Sequence, residues 1–108
     1  MHPSQPESHQ ITIARGNIYL SREVCDLYFP RIDSIALLRH EADLLLIPLV
    51  QQSAGGMLLK TRNLRGDRVV HAQAFLRAQA WEETAECSCP VRWSAEHAAL
   101  LISGVFLD

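Results

Sequence analysis

The sequence predicts an α+β protein, mostly β: a small antiparallel sheet or barrel built from two pseudo-repeated strand–helix–hairpin units. Three observations predict it. Residues 16–24 have a counterpart in residues 66–74, and residues 37–47 are answered by residues 92–102. In each copy a Gly turn leads to a short apolar strand, a helical stretch, and a hairpin ending in an apolar run. The apolar runs themselves are short and bounded by turn residues, as strands are. Finally, one such unit is too small to bury its own apolar face, whereas two can close a shared core.

The elements follow in order. Gln10, Ile11, Thr12, Ile13 and Ala14 alternate and are rich in β-branched residues, which predicts a strand. Arg15, Gly16 and Asn17 signal a turn, and Ile18, Tyr19 and Leu20 resume extended structure. Ser21 is placed to cap a helix, with Glu23 in the first turn where the helix dipole favours a carboxylate. Val24, Leu27 and Tyr28 at i, i+3 and i+4 predict its buried face, and Pro30 ends it. Residues 34–38 and 44–47 flank the polar segment 39–43. Leu and Ala there would also suit a helix, but the polar break, and Pro48 closing the second run, decide for a β-hairpin. Residues 51–56 are a loop between the halves.

The second half repeats the scheme. Residues 57–61 predict a strand, 62–67 a loop and 68–70 another strand. His71 then caps a helix over 72–80 with Phe75 and Leu76 turned inward. Residues 88–93 and 98–103 form the last hairpin around 94–97. The apolar tail 104–107 is expected to pair as a final strand or to cover a neighbouring subunit, because leaving it exposed invites aggregation.

Composition bounds the function. The 108 residues, 48% hydrophobic and 20% charged, fit one domain over residues 10–108, with pseudo-repeats at about 11–49 and 57–103. Residues 1–9, polar and containing Pro3 and Pro6, read as a disordered leader and not as a signal peptide. No apolar stretch approaches the roughly 20 residues of a membrane helix. Three cysteines are too few for a disulfide framework, so a cytoplasmic setting is expected. Net charge is −2, but unevenly spread. Lys60, Arg62, Arg65 and Arg68 against Asp67 give a local +3, which leaves about −5 for the rest, including Glu82, Glu83 and Glu86.

That basic segment is the strongest functional candidate. Arg and Lys pair with phosphate oxygens, and Gly lets backbone N–H groups approach an anion. The expected anion or nucleic-acid contacts are Lys60, Arg62, Arg65 and Arg68, with Asn63 reaching a base edge and Gly55, Gly56 and Gly66 supplying the loop backbone. On a strand Lys60 and Arg62 point to the same face. The alternative is a solvated basic loop in which Arg65 or Arg68 pairs with Asp67 or the acidic run.

Other signals are weaker. Cys87 and Cys89 align on one strand face, but a closed zinc site needs four ligands. Cys25 with His40, His71 or His97 completes a set only if the fold gathers them, so the cysteines are expected to be small apolar residues and no metal is assigned. His40 and His97 lie near predicted hairpin turns, beside Glu41 and Glu96, where solvated residues are the rule. Gly-x-Ser-x-Gly, Gly-x-x-x-x-Gly-Lys and Gly-x-Gly-x-x-Gly are absent. No catalytic residue or cofactor is therefore expected. Trp81, Trp93, Phe29, Phe75 and Phe106 read as core or interface anchors.

The stretch from Gly16 to Leu49, a turn, short strand, brief helix and hairpin finishing in apolar residues and Pro, resembles the AbrB-like unit. In that superfamily two units intertwine as a swapped-hairpin β-barrel, and in MraZ-type members both lie in one chain. Ser21 and His71 stand where Pro commonly follows the short strand. The resemblance spans about residues 11–102 and implies a DNA-binding regulator, with basic side chains of strands and loops meeting the duplex. The expectation is thus a non-enzymatic module that binds DNA and self-associates. The alternative is an accessory protein that docks its apolar C-terminal tail on a protein partner, without nucleic acid.

Overall fold

Among the described residues, nine strands form one antiparallel sheet whose two outermost strands are separated in the chain by a single residue. A computed structural model describes residues 9–50, 56–82 and 85–106. The elements are β1 (Gln10–Ala14), β2 (Asn17–Leu20), α1 (Arg22–Tyr28), β3 (Ser34–His40), β4 (Asp43–Leu49), β5 (Met57–Leu58), β6 (Lys60–Thr61), β7 (Arg68–His71), α2 (Gln73–Ala78), β8 (Glu86–Ser94) and β9 (Ala99–Ile102). Strand accounts for 48% and helix for 14% of the described residues, so the architecture is mostly β.

The sheet runs β5-β3-β4-β9-β8-β1-β2-β7-β6. Only Leu59 lies between β5 and β6, so the sheet curls nearly into a closed barrel. Leu59 is buried, and its N–H donates to the Asp33 carbonyl at 2.8 Å. The strand expected over 57–61 is therefore two short ones, bent at Leu59 so that each half serves a different neighbour.

Period-two alternation fills the interior. Ile11, Ile13, Ile18, Leu20, Ile35, Leu44, Leu46, Val70, Leu100 and Ile102 are buried in one core. β1 and β2 join through Arg15 and Gly16, both at positive φ (53° and 81°), the two-residue hairpin turn that suits strand twist. A Cβ on Gly16 would lie 2.9 Å from the Gln73 Cβ, and the Gly16 carbonyl accepts from the Ala72 N–H at 2.9 Å. Glycine here lets the turn touch the start of α2.

Several expectations are corrected. Ser21 does cap α1, accepting from the Val24 N–H at 3.2 Å, but the inward arc is Val24, Cys25 and Phe29, while Leu27 is 55% exposed. At 100° per residue that arc is centred between Val24 and Cys25, which turns Leu27 away. His71 does not cap α2. The β2–β7 ladder holds it opposite Asn17, and Ala72 stands at the helix start without a side-chain cap. Leu76 is buried, whereas Phe75 is only partly so.

The β3–β4 strands run to His40 and from Asp43, which shrinks the polar break to Glu41 and Ala42. Pro48 lies inside β4, opposite Ile35, beyond Leu46 where pairing with β9 stops. A missing N–H is tolerated at that half-open edge. The apolar tail neither extends as a strand nor stands free in its described part. Residues 103–106 turn back, with Gly104 N–H on Asp43 Oδ1 (2.9 Å) and Phe106 N–H on the Ala42 carbonyl (2.8 Å). Val105 and Phe106 join the chain's own core.

Candidate nucleic-acid interface

Asn63 and Asp67 build the basic loop from within. The Arg62 N–H donates to the Asp67 carbonyl at 2.7 Å and the Gly66 N–H to the Asn63 carbonyl at 3.2 Å. Asn63 Oδ1 accepts from the N–H groups of Arg65 (3.0 Å) and Asp67 (3.2 Å), an Asx-type turn. Asn63 Nδ2 donates to Asp67 Oδ2 at 2.9 Å, and Asp67 Oδ1 accepts from the Arg22 N–H, at the first residue of α1, at 2.9 Å. Both ends of the Asn63 amide are thus used in shaping the loop and not held out for a base edge. The Gly66 N–H is likewise spent inside the loop. Gly56 is exposed, and Gly55 lies outside the described residues.

The hydrogen bonds from Asn63 and the Arg22 N–H, aided by the charges of Arg65 and Arg62, hold the Asp67 carboxyl below its ordinary value of 3.8. A carboxyl depressed in the folded state contributes stability that is complete above its unfolded pKa and fades as pH falls through its folded pKa. We therefore expect the Arg22 amide resonance to titrate with a midpoint below 3.8, together with the Asn63 side-chain amide. NMR across the acid range checks this, and a midpoint above that value would contradict the loop geometry.

The basic side chains sort into three positions. Register aligns Tyr19 with Val69 and Val69 with Lys60, so Lys60 shares the outer face of the sheet with Tyr19. Arg62 follows two residues later on that face, its guanidinium 4.4 Å from the Tyr19 ring centre. The expected pairing of Lys60 and Arg62 on one face holds. Arg65 lies on the loop rim, its side chain 81% exposed and 3.3 Å from Asp67. Arg68 turns the other way. It sits opposite Leu20, an inward residue, and both Nε and Nη2 donate to the Leu59 carbonyl, with Asp33 at 3.6 Å. Arg68 ties the barrel seam.

Arg15, Asn17 and Tyr19 were missed from sequence. Arg15 Nη2 and Asn17 Nδ2 donate to the Tyr19 hydroxyl at 3.5 and 3.0 Å, and His71 Nδ1 lies 3.0 Å from Asn17 Oδ1. The Asn17 hydrogen bond lowers the phenol pKa first; burial opposes it, and Arg15 and Arg62 add to it. The available signal was alternation: with Ile18 and Leu20 inward, Asn17 and Tyr19 must face out. Arg15, Tyr19 and Arg62 border a shallow recess with Thr12, Ala14 and Glu86. Among the described residues Glu86 is the one acid lining it.

Elsewhere, the Sγ atoms of Cys87 and Cys89 are in contact, with Cα atoms 5.9 Å apart, a closer association than two separate apolar residues. Cys25 is buried under α1, and burial pushes its thiol up to about 11, so it stays protonated at neutral pH. Leu27, Tyr28, Pro30 and Trp93 line an open apolar groove, the Tyr28 and Trp93 rings lying nearly parallel at 6.2 Å. Among the described residues no helix is long and apolar enough to cross a membrane. Compared with known proteins, the chain matches no family model, no curated protein and no solved structure.

Proposed function

We propose that this chain is a small non-enzymatic DNA-binding module of AbrB/MraZ-like architecture, gripping duplex phosphates with the outer face of β2, β7 and β6. The observation that carries it is the placement of Arg15 and Arg62 against Tyr19, with Lys60 on the same outer face. Arg22 and Arg65 have carboxylate partners in Asp26 and Asp67, and Arg68 is committed to the seam. No ion pair engages Arg15, Lys60 or Arg62 among the described residues. Stacking on Tyr19 orients the Arg62 fork without neutralising it, leaving its N–H groups for phosphate oxygens.

Strand order supports the architectural half. Exchange β1, β2, β3 and β4 for the β5–β6 pair, β7, β8 and β9, and reverse the direction of travel. The circuit of strands maps onto itself. Each unit's hairpin then pairs with the opposite unit: β3 with β5, β8 with β1, and β4 with β9. That interleaving is what a swapped-hairpin barrel made from two units in one chain requires, and it asks for no second chain to complete the core.

Fluorescence anisotropy with a pool of labelled genomic duplexes tests the reading. With three phosphate contacts the logarithmic salt slope is about −2.7, so affinity falls roughly 40-fold between 50 and 200 mM salt. The double substitution Lys60→Glu and Arg62→Glu should abolish binding in a protein that melts normally. Absence of binding by the unmodified chain at low salt would retire DNA as the partner.

A further inference from the structure

Two histidines from different hairpins meet outside the basic site described above. His40 closes β3 and His97 lies in the turn between β8 and β9. Their ring centroids are 4.7 Å apart and their planes are tilted by 60°. The β4–β9 ladder, pairing Leu44 with Ile102 and Leu46 with Leu100, brings the two hairpins side by side.

The two rings are held differently. His97 Nδ1 lies 3.0 Å from Ser94 Oγ, and the same hydroxyl accepts the His97 backbone N–H at 3.2 Å. Ser94 is one of only two buried polar or charged residues among those described. With Nδ1–H donating to that oxygen, the Nε2 lone pair of His97 is free. The His40 ring has no hydrogen bond among the described residues, so its nitrogens are free as well. A ligating imidazole whose second nitrogen is fixed by a buried polar partner is the arrangement metal sites use to set tautomer and ring orientation.

We propose that His40 and His97 form a two-imidazole site for a divalent transition-metal ion of the kind that favours imidazole: zinc, nickel or copper. No group of three or more His, Cys, Asp or Glu residues is arranged to hold a metal among the described residues. The ion is therefore bound in an open site, its other positions taken by water. Hard, oxygen-seeking ions such as magnesium and calcium do not suit two nitrogen donors. The site couples two hairpin tips 57 positions apart in the chain, so an ion there cross-links the two halves of the barrel.

The test is calorimetric titration of the full chain with zinc and with nickel at neutral pH, run beside thermal melts. One ion is expected per chain. His40→Ala and His97→Ala should each remove binding, and Ser94→Ala should weaken it about tenfold, as loss of a ligand-orienting partner does. His40 is exposed, so His40→Ala should melt like the unmodified protein without metal and lose only the rise in melting temperature that metal gives. The combined His2→Ala and His9→Ala variant should bind normally. The proposal is overturned by absence of binding at millimolar metal, by binding unchanged in His40→Ala, or by loss that follows His2 and His9 instead.

Discussion

Leu46→Ala is expected to lower the unfolding free energy by about 3 kcal/mol, within the usual range for a fully buried leucine cut to alanine. Leu46 has no exposed surface and stands mid-sheet, opposite Leu37 on β3 and Leu100 on β9. Its side chain belongs to the main core together with Ile35, Leu44, Leu100 and Ile102. The strands on both sides are pinned by ladder hydrogen bonds, so the surroundings cannot collapse into the gap, and a cavity term adds to the lost transfer energy. In a chain of this length the melting temperature should fall by roughly 15 °C. Leu38→Ala is the control. Leu38 lies on the outer face and is 49% exposed, so its loss should cost well under about 1 kcal/mol. Calorimetric melts of both variants check the pair. Equal costs would mean that the β3–β4 hairpin is not clasped between β5 and β9 as described.

What was legible in the sequence was local. The β1 alternation, the Arg15–Gly16 turn, the Ser21 cap and both long hairpins depend on neighbours within a few positions, and those stand where expected. The errors came from partners far along the chain. Leu27 satisfied helical spacing, but which arc of α1 is buried depends on the barrel beneath it. His71 looked like a cap until β2 claimed it for a ladder. The tail suggested a final strand or a neighbouring subunit, because nothing local announces that Ala42 and Asp43 will receive it. At the candidate site, Lys60 and Arg62 could be aligned by period two alone. Arg15 and Tyr19 joined them only through the β2–β7–β6 register, and the meeting of His40 with His97 needed the β4–β9 ladder.

Arg68 and Arg62 should separate stability from binding, in opposite directions. Both belong to one basic segment of the sequence, yet the register sends Arg68 inward beside Leu20 and Arg62 outward over Tyr19. Arg68→Met removes two charge-assisted donors from the Leu59 carbonyl at the one place where the sheet changes partners between β5 and β6. Hydrogen bonds to charged groups contribute roughly 1.5–3 kcal/mol, so a loss of about 2 kcal/mol is expected. The contact with Asp33 adds little, because that carboxylate is 79% exposed and solvent screens it. Arg62→Met gives up only a cation–π contact on a half-buried ring at the surface, about 0.5 kcal/mol at such a site. Its stability should be nearly unchanged, while its DNA affinity falls and its salt slope shrinks by about one contact. Arg68→Met, measured well below its melting temperature, should bind DNA as the unmodified chain does. A melting temperature untouched by Arg68→Met, combined with lost DNA binding, would place the phosphate contact at the seam and reverse the two roles.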